Sequence, residues 1–283
     1  MCLPGERREG SKMLRDITLG QYYHADSIIH RLDPRTKIVG TFVFIISLFL
    51  FRSFLTTLVA AVFLVSMIRL SKVPFSYMVR GMKSIILILL VTVLFNLFLT
   101  PGIPVLTVWK FTITDEGIKI SLFTAIRLVF LIIGSSLMTL TTTPNNLTDG
   151  LESLMSPLKV FKMPVHEVAM MMSIALRFIP ILMEETDKIM KAQEARGADF
   201  ESGNVIERAK ALIPILVPLF VSAFRRANDL AMAMEARCYR GGEGRTKMKP
   251  LLYGRGDYVA YGVFVFYVAL MIAAGILGSR LLP

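Results

Sequence analysis

Three runs of apolar residues, 84–100, 118–141 and 258–280, are long enough to cross a lipid bilayer, and two shorter ones, 38–51 and 54–68, flank Arg52-Ser53. Runs of this kind constrain the chain more than any motif in it, because only hydrocarbon or a helix bundle within it buries them on all sides. With 54% apolar residues and a mean hydropathy of +0.60, the chain is expected to be a membrane protein, not one or two soluble domains. The net charge of +11 would suit nucleic acid, but the Lys and Arg fall between the apolar runs. That is the pattern of loops on one side of a bilayer, and no nucleic-acid partner is expected. Cys2 and Cys238 form neither a disulfide framework nor a metal cluster. The N-terminus, MCLPGERREGSKM, is polar and has no apolar core of a signal peptide, so residues 1–12 read as an extension before Met13.

Charge sets the expected topology. Residues 1–37, a cytoplasmic or interfacial segment, hold seven basic residues, and 69–83 hold Arg69, Lys72, Arg80 and Lys83 without an acid. Both flanks should be cytoplasmic, which requires an even number of crossings between them. The apolar stretch 38–68 therefore reads as a hairpin of two short helices, with Arg52 snorkelling towards the far interface. A third span covers 84–100 and a fourth 118–141. The external connection between them contains the strand-like VLTVWKFTIT and a turn expected at Asp115-Glu116-Gly117. Arg127 falls inside the fourth span, where a charge is costly and is expected to face protein.

From 142 to 257 the composition changes, with sixteen basic and fourteen acidic residues spread through amphipathic stretches. Thr143-Pro144 fits a helix N-cap followed by proline at the first helical position. The most apolar parts, 165–183 and 211–224, are too polar or too short to cross and are expected at the interface. The last run, 258–280, completes an all-α polytopic membrane protein of about five transmembrane helices plus a cytoplasmic domain of long amphipathic coupling helices.

Two helices of that domain end alike. KAQEARGADF (191–200) and AMAMEARCYR (231–240) both contain Glu-Ala-Arg, which places Glu194, Ala195, Arg196 and Gly197 against Glu235, Ala236, Arg237 and Cys238. Both units also begin with Ile-Pro-Ile-Leu, at 179–182 and 213–216, and the second, seven residues longer from proline to glutamate, is expected to be the longer helix. Phe220, Ala223, Phe224, Ala227, Ala231 and Met234 form one stripe of the second helix, with Arg225, Arg226 and Asp229 elsewhere. An arginine in a last turn can simply cap free carbonyls. Two of them, each after a small alanine, also suit insertion into acceptor grooves of a partner, where the guanidinium forks onto carboxylates or carbonyls.

HRLDPRTK (30–37), LTDGLESLMSPLK (147–159), SIALRFIPILMEETDKIMKAQEARGADF (173–200) and MEARCYRGG (234–242) resemble the transmembrane coupling subunits, or T-components, of energy-coupling factor transporters. The resemblance covers nearly the whole chain from about Met13, and the second signature departs from the family's glycine at Cys238. It implies the energy-coupling subunit of an importer of the ATP-binding cassette type, taking up vitamins or other micronutrients across the cell membrane. Two ATPase subunits, a non-identical pair, would sit on the cytoplasmic face with ATP and magnesium. An interchangeable substrate-binding subunit would capture the solute. Arg196 and Arg237, with their neighbours Glu194, Ala195, Gly197, Glu235, Ala236 and Cys238, would dock into the ATPases. Met170, Met171 and Met172 would offer an adaptable surface to several partners.

The rival readings are an intramembrane enzyme and a self-contained transporter. His166-Glu167 lacks the second histidine of a zinc helix, and no phosphate-binding loop is present, so catalysis and cofactors are expected in partner chains. The spans carry no acidic residue, which disfavours an ion pathway through this chain alone.

Overall fold

The computed structural model describes residues 22–50, 53–82, 85–108, 111–198, 200, 204–241, 248 and 250–281. Cys2, Met13, Arg52, Lys83, Lys110 and Gly242, and with them the snorkelling expected of Arg52, lie outside the described residues. The protein is an all-α polytopic membrane protein with ten α-helices among the described residues: α1 (Pro34–Leu50), α2 (Phe54–Ser71), α3 (Phe75–Met82), α4 (Ile86–Leu99), α5 (Asp115–Thr141), α6 (Pro144–Met155), α7 (Val165–Ala195), α8 (Val205–Ala211), α9 (Ile213–Ala236) and α10 (Arg255–Leu281). A small antiparallel hairpin, β1 (Pro104–Val108) and β2 (Phe111–Thr114), precedes α5, and a 3-10 helix (Ser156–Phe161) follows α6. The chain divides into two compact units, 20–154 with 250–283, and 155–249.

By length and composition four helices can cross a membrane: α2, α5, α7 and α10 over Arg255–Gly278. This corrects the expectation that the stretch at 165–183 is too polar to span, because the helix runs on through 31 residues. Conversely α1, with 17 residues, and α4, with 14, fall short of the ~20 residues that span a hydrocarbon core upright.

In the first unit the core gathers Phe44 and Leu48 of α1, Ala60 and Leu64 of α2, Val73, Met78 of α3, Ile133 and Leu137 of α5, and Tyr267 and Met271 of α10. The ring of Phe63 stacks on Tyr267 at 4.2 Å, and the Tyr267 hydroxyl meets Ser47 Oγ at 2.8 Å. The direction of the first two helices can be read along α10. Gly40 lies against Phe264, Ser47 against Tyr267 and Ser53 against Gly278, after which Phe63 is back beside Tyr267 and Phe264. The chain therefore reverses between α1 and α2. Gly40 makes this approach possible, since a Cβ there would sit 2.1 Å from the Phe264 ring.

The segment Asp115-Glu116-Gly117, expected as a turn, is instead the first turn of α5. Thr114 caps that helix by accepting the Gly117 N–H at 3.0 Å, and the two acids suit the positive end of its dipole. Arg127 is half-buried on α5 and lines a small cavity with Thr56, Thr57, Phe123, Phe130 and Met271, as expected of a charge facing protein. The loop at 69–83 contains a helix that charge alone did not reveal, α3, whose Met78 is fully buried. Helix α6 belongs to this first unit: its Gly150 lies against Pro34 and Ile38. The division thus falls after 154 and after 249, inside the 142–257 expected from composition.

The segment HRLDPRTK ties three helix ends together. Asp257, in the first turn of α10, accepts the Asp33 N–H at 2.8 Å with one oxygen and the Gly254 N–H at 2.8 Å with the other. Asp33 in turn accepts the Arg35 N–H at 2.9 Å. Arg35 donates to the Leu251 carbonyl at 3.3 Å and lies over the Tyr253 ring at 5.2 Å. Lys37, buried, donates to the carbonyl of Thr141 at 2.8 Å and that of His30 at 3.2 Å. A cation at the last carbonyl of α5 is favoured by the helix dipole, and together with the nearby carboxylates of Asp33 and Asp257 it accounts for a buried lysine.

Candidate functional site

The second unit holds both Glu-Ala-Arg sequences, and each ends a long helix. Helix α7 closes at Ala195 and α9 at Ala236, with Arg196 (φ −90°, ψ 4°) and Arg237 (φ −91°, ψ 12°) as the capping residues. The next residue is left-handed in both, Gly197 at φ 88° and Cys238 at φ 57°. The hydrogen bonds repeat as well. Gly197 N–H donates to the Glu194 carbonyl and Ala198 N–H to the Gln193 carbonyl, both at 3.0 Å. Cys238 N–H donates to Glu235 at 2.8 Å and Tyr239 N–H to Met234 at 3.0 Å. Each end is a Schellman motif, which satisfies two of the last four carbonyls, those of Gln193 and Glu194 and of Met234 and Glu235, with backbone N–H groups.

That geometry decides what the arginines are not doing. With those carbonyls taken by the backbone, neither guanidinium is needed as a cap. Among the described residues Arg196 and Arg237 are exposed, and neither side chain makes a hydrogen bond or ion pair. Glu194, Ala195, Gly197, Glu235, Ala236 and Cys238 are exposed beside them. Each site is thus a charged fork with five N–H donors, next to a small residue, at the tip of a rigid rod.

Cys238 adopts the left-handed conformation without being glycine, so the departure from glycine does not change how the helix ends. It has an energetic consequence. Left-handed backbone costs a residue with a Cβ about 1–2 kcal/mol, partly offset by glycine's freer unfolded chain. Cys238→Gly is expected to stabilise the chain by about 0.5–1 kcal/mol. Gly197→Ala, at a position with no atom within 4 Å of the added Cβ, should destabilise it by a similar amount through backbone strain alone. Denaturant unfolding of the two variants in detergent checks the opposite signs.

The shared Ile-Pro-Ile-Leu does not begin both helices. It opens α9, where Pro214 stands in the favoured first turn, but it lies in the interior of α7. Helix α7, with 31 residues, is the longer of the two, not α9 with 24. Most of the apolar stripe read on α9 is also not on its packed face: of its six residues, only Ala223 and Met234 are partly covered. Phe220 and Phe224 are 61% and 69% exposed, together with Ile213, Leu216, Val217 and Val221. The covered face carries Ile215, Leu219, Ser222, Arg226, Leu230 and Met234, again at helical spacing. Of the three methionines, Met171 and Met172 are exposed and Met170 is half-buried.

Arg226, expected on the free surface, faces α7. Its guanidinium donates to one oxygen of Glu185, and Ser222 Oγ donates to the other at 2.9 Å. The sequence carries a signal for this pairing. Superposing the two units on their arginines, 41 positions apart, puts the acid Glu185 over the base Arg226, also 41 apart.

Residues 25–248 match the family described as Cobalt transport protein (CbiQ). Among curated relatives, the chain is 56% identical over 250 residues to the energy-coupling factor transporter transmembrane protein EcfT of Clostridium kluyveri, covering 88% of this chain and 93% of that one. It is 54% identical over 248 residues to the EcfT of Thermosediminibacter oceani, covering 88% and 94%. It is 50% identical over 246 residues to the EcfT of Bacillus subtilis, covering 87% and 93%.

Proposed function

The chain belongs to the family of energy-coupling factor transporter transmembrane proteins, and on that premise we propose that it transmits the movements of two cytoplasmic ATPase subunits to a separate substrate-binding membrane subunit. The observation that carries this reading is the pair of matching helix ends. Two exposed arginines, released from capping by backbone hydrogen bonds, stand on identical Schellman turns at the tips of two packed helices. Each guanidinium can fork onto a carboxylate or onto backbone carbonyls in one ATPase. Ala195 and Ala236 let the partner's surface approach closely.

ATP and magnesium then belong to the ATPases, and the solute, a vitamin or other micronutrient, to the substrate-binding subunit. With the N-terminal segment and the loop at 69–83 both basic, charge favours a cytoplasmic N-terminus and cytoplasmic signature ends for α7 and α9. The exposed apolar face of α9, from Ile213 to Phe224, is the surface offered to the substrate-binding subunit. Met171 and Met172 add an adaptable patch for partners of differing shape.

Purification from the native membrane in mild detergent, with mass spectrometry of the co-eluting chains, tests this. Two ATP-binding cassette subunits, and at least one small polytopic membrane protein, should elute with this chain. The chain alone should hydrolyse ATP no faster than background until the ATPases are added. Elution without any ATPase subunit would refute the reading.

A further inference from the structure

The contact between α7 and α9 has a symmetry that neither helix shows by itself. Glu185 lies eleven residues before Arg196, and Arg226 lies eleven residues before Arg237. The two helices are therefore joined at equivalent positions counted back from their signatures, by residues of opposite charge. At ~1.5 Å per residue, each signature stands about 16 Å along its own helix from the junction. Both oxygens of Glu185 are engaged, one by Arg226 and one by Ser222, so the carboxylate is held from two points on α9. A two-point contact restricts rotation of one helix about the other, which a single contact or an apolar seam does not. The other covered positions of α9, Ile215, Leu219, Leu230 and Met234, are aliphatic or methionine side chains, which make no directional bond.

We propose that Glu185, Arg226 and Ser222 form a clasp that fixes the crossing of the two coupling helices, so that Arg196 and Arg237 are held at one set separation. The inference rests on the docking role given to these arginines above, and it adds three positioning residues to them. A pair of equal arms about a locked junction presents its two tips symmetrically, which suits two ATPases related by an approximate two-fold axis. Movement of one ATPase is then transmitted to the other through the junction, because the clasp resists a change of crossing angle.

The test uses the full chain in lipid nanodiscs with Cys2→Ser and Ala198→Cys, spin-labelled at the introduced cysteine and at the exposed Cys238. Pulsed electron resonance then reads the distance between the two helix ends. The parent should give one narrow distribution. Glu185→Arg and Arg226→Glu should each broaden it at least twofold, and the double exchange should restore the narrow form. The milder Glu185→Gln and Ser222→Ala, which keep the helices' volume, should broaden it less and in that order. Unchanged widths in the single variants overturn the clasp, and so does a double exchange that stays broad. Because no ATPase is present, this outcome is independent of whether Arg196 and Arg237 dock, which is decided by the co-elution above.

Discussion

Replacing Arg196 and Arg237 together by glutamate is expected to leave the chain inserted in the membrane while its ATPase partners no longer co-purify and transport is abolished. Insertion should survive because both residues are exposed, bond to nothing among the described residues, and sit outside the apolar stretches. The Schellman turns are made by backbone groups of Gln193, Glu194, Met234 and Glu235, so they do not depend on the guanidinium. The loss of binding should be large. Truncating one partner of a desolvated charge pair costs roughly 2–5 kcal/mol, and reversing its sign adds repulsion. Two such sites acting together would weaken the complex by well over a thousandfold, since every ~1.4 kcal/mol is a factor of ten. Single reversals should leave one site engaged and give partial retention of the ATPases. A double mutant that imports at the parent rate would remove the docking role altogether.

Asp257→Ala is expected to have the largest effect on folding. Asp257 is 4% exposed and is the shared acceptor for the N–H groups of Asp33 and Gly254. Leaving a buried N–H unpaired costs about 1–3 kcal/mol, which applies to Asp33, whereas Gly254 is exposed and its N–H can turn to water. The carboxylate also stands in the first turn of α10, where a negative charge contributes a further 0.3–1 kcal/mol, roughly. A total of about 1.5–4 kcal/mol should lower the thermal midpoint in detergent by about 6–8 °C. Asp257→Asn keeps one acceptor and should lose about half as much. A midpoint for Asp257→Ala within about 2 °C of the parent would show that the ends of α1 and α10 are not held together in this way.

How much of this was legible depends on how local each feature is. The helices of the apolar runs follow from their length, and Thr143-Pro144 does open α6, with Thr143 Oγ1 accepting the Asn146 N–H at 3.4 Å. The strand-like alternation before α5 is a hairpin, but its end was misjudged by one motif, because Thr114-Asp115-Glu116-Gly117 serves a helix start as readily as a turn. The lengths of the two coupling helices were misread from a repeated Ile-Pro-Ile-Leu. A proline is compatible with the first turn of α9 and, at a cost of about 3 kcal/mol, with the interior of α7, so the tetrapeptide fixes no boundary. The apolar stripe with Phe220 and Phe224 was correctly periodic, but periodicity does not say whether a stripe meets the chain's own helices or something outside them.

The matching helix ends were determined by sequence alone, down to the arginines, because capping and backbone conformation act within five or six residues. Even Cys238 in place of glycine follows the same turn, at a cost borne locally. What only the tertiary structure decided is which groups meet across the chain. Asp33 finds Asp257 over 224 positions, and Arg35 finds Leu251 over 216. Glu185 finds Arg226 because two helices of unequal length happen to be packed in the register that superposes their signatures. The repeat of 41 positions aligns the two residues, but it does not say that the helices pack against each other there. That register comes from the fit of whole helix faces, and it gives two similar tripeptides one shared geometry.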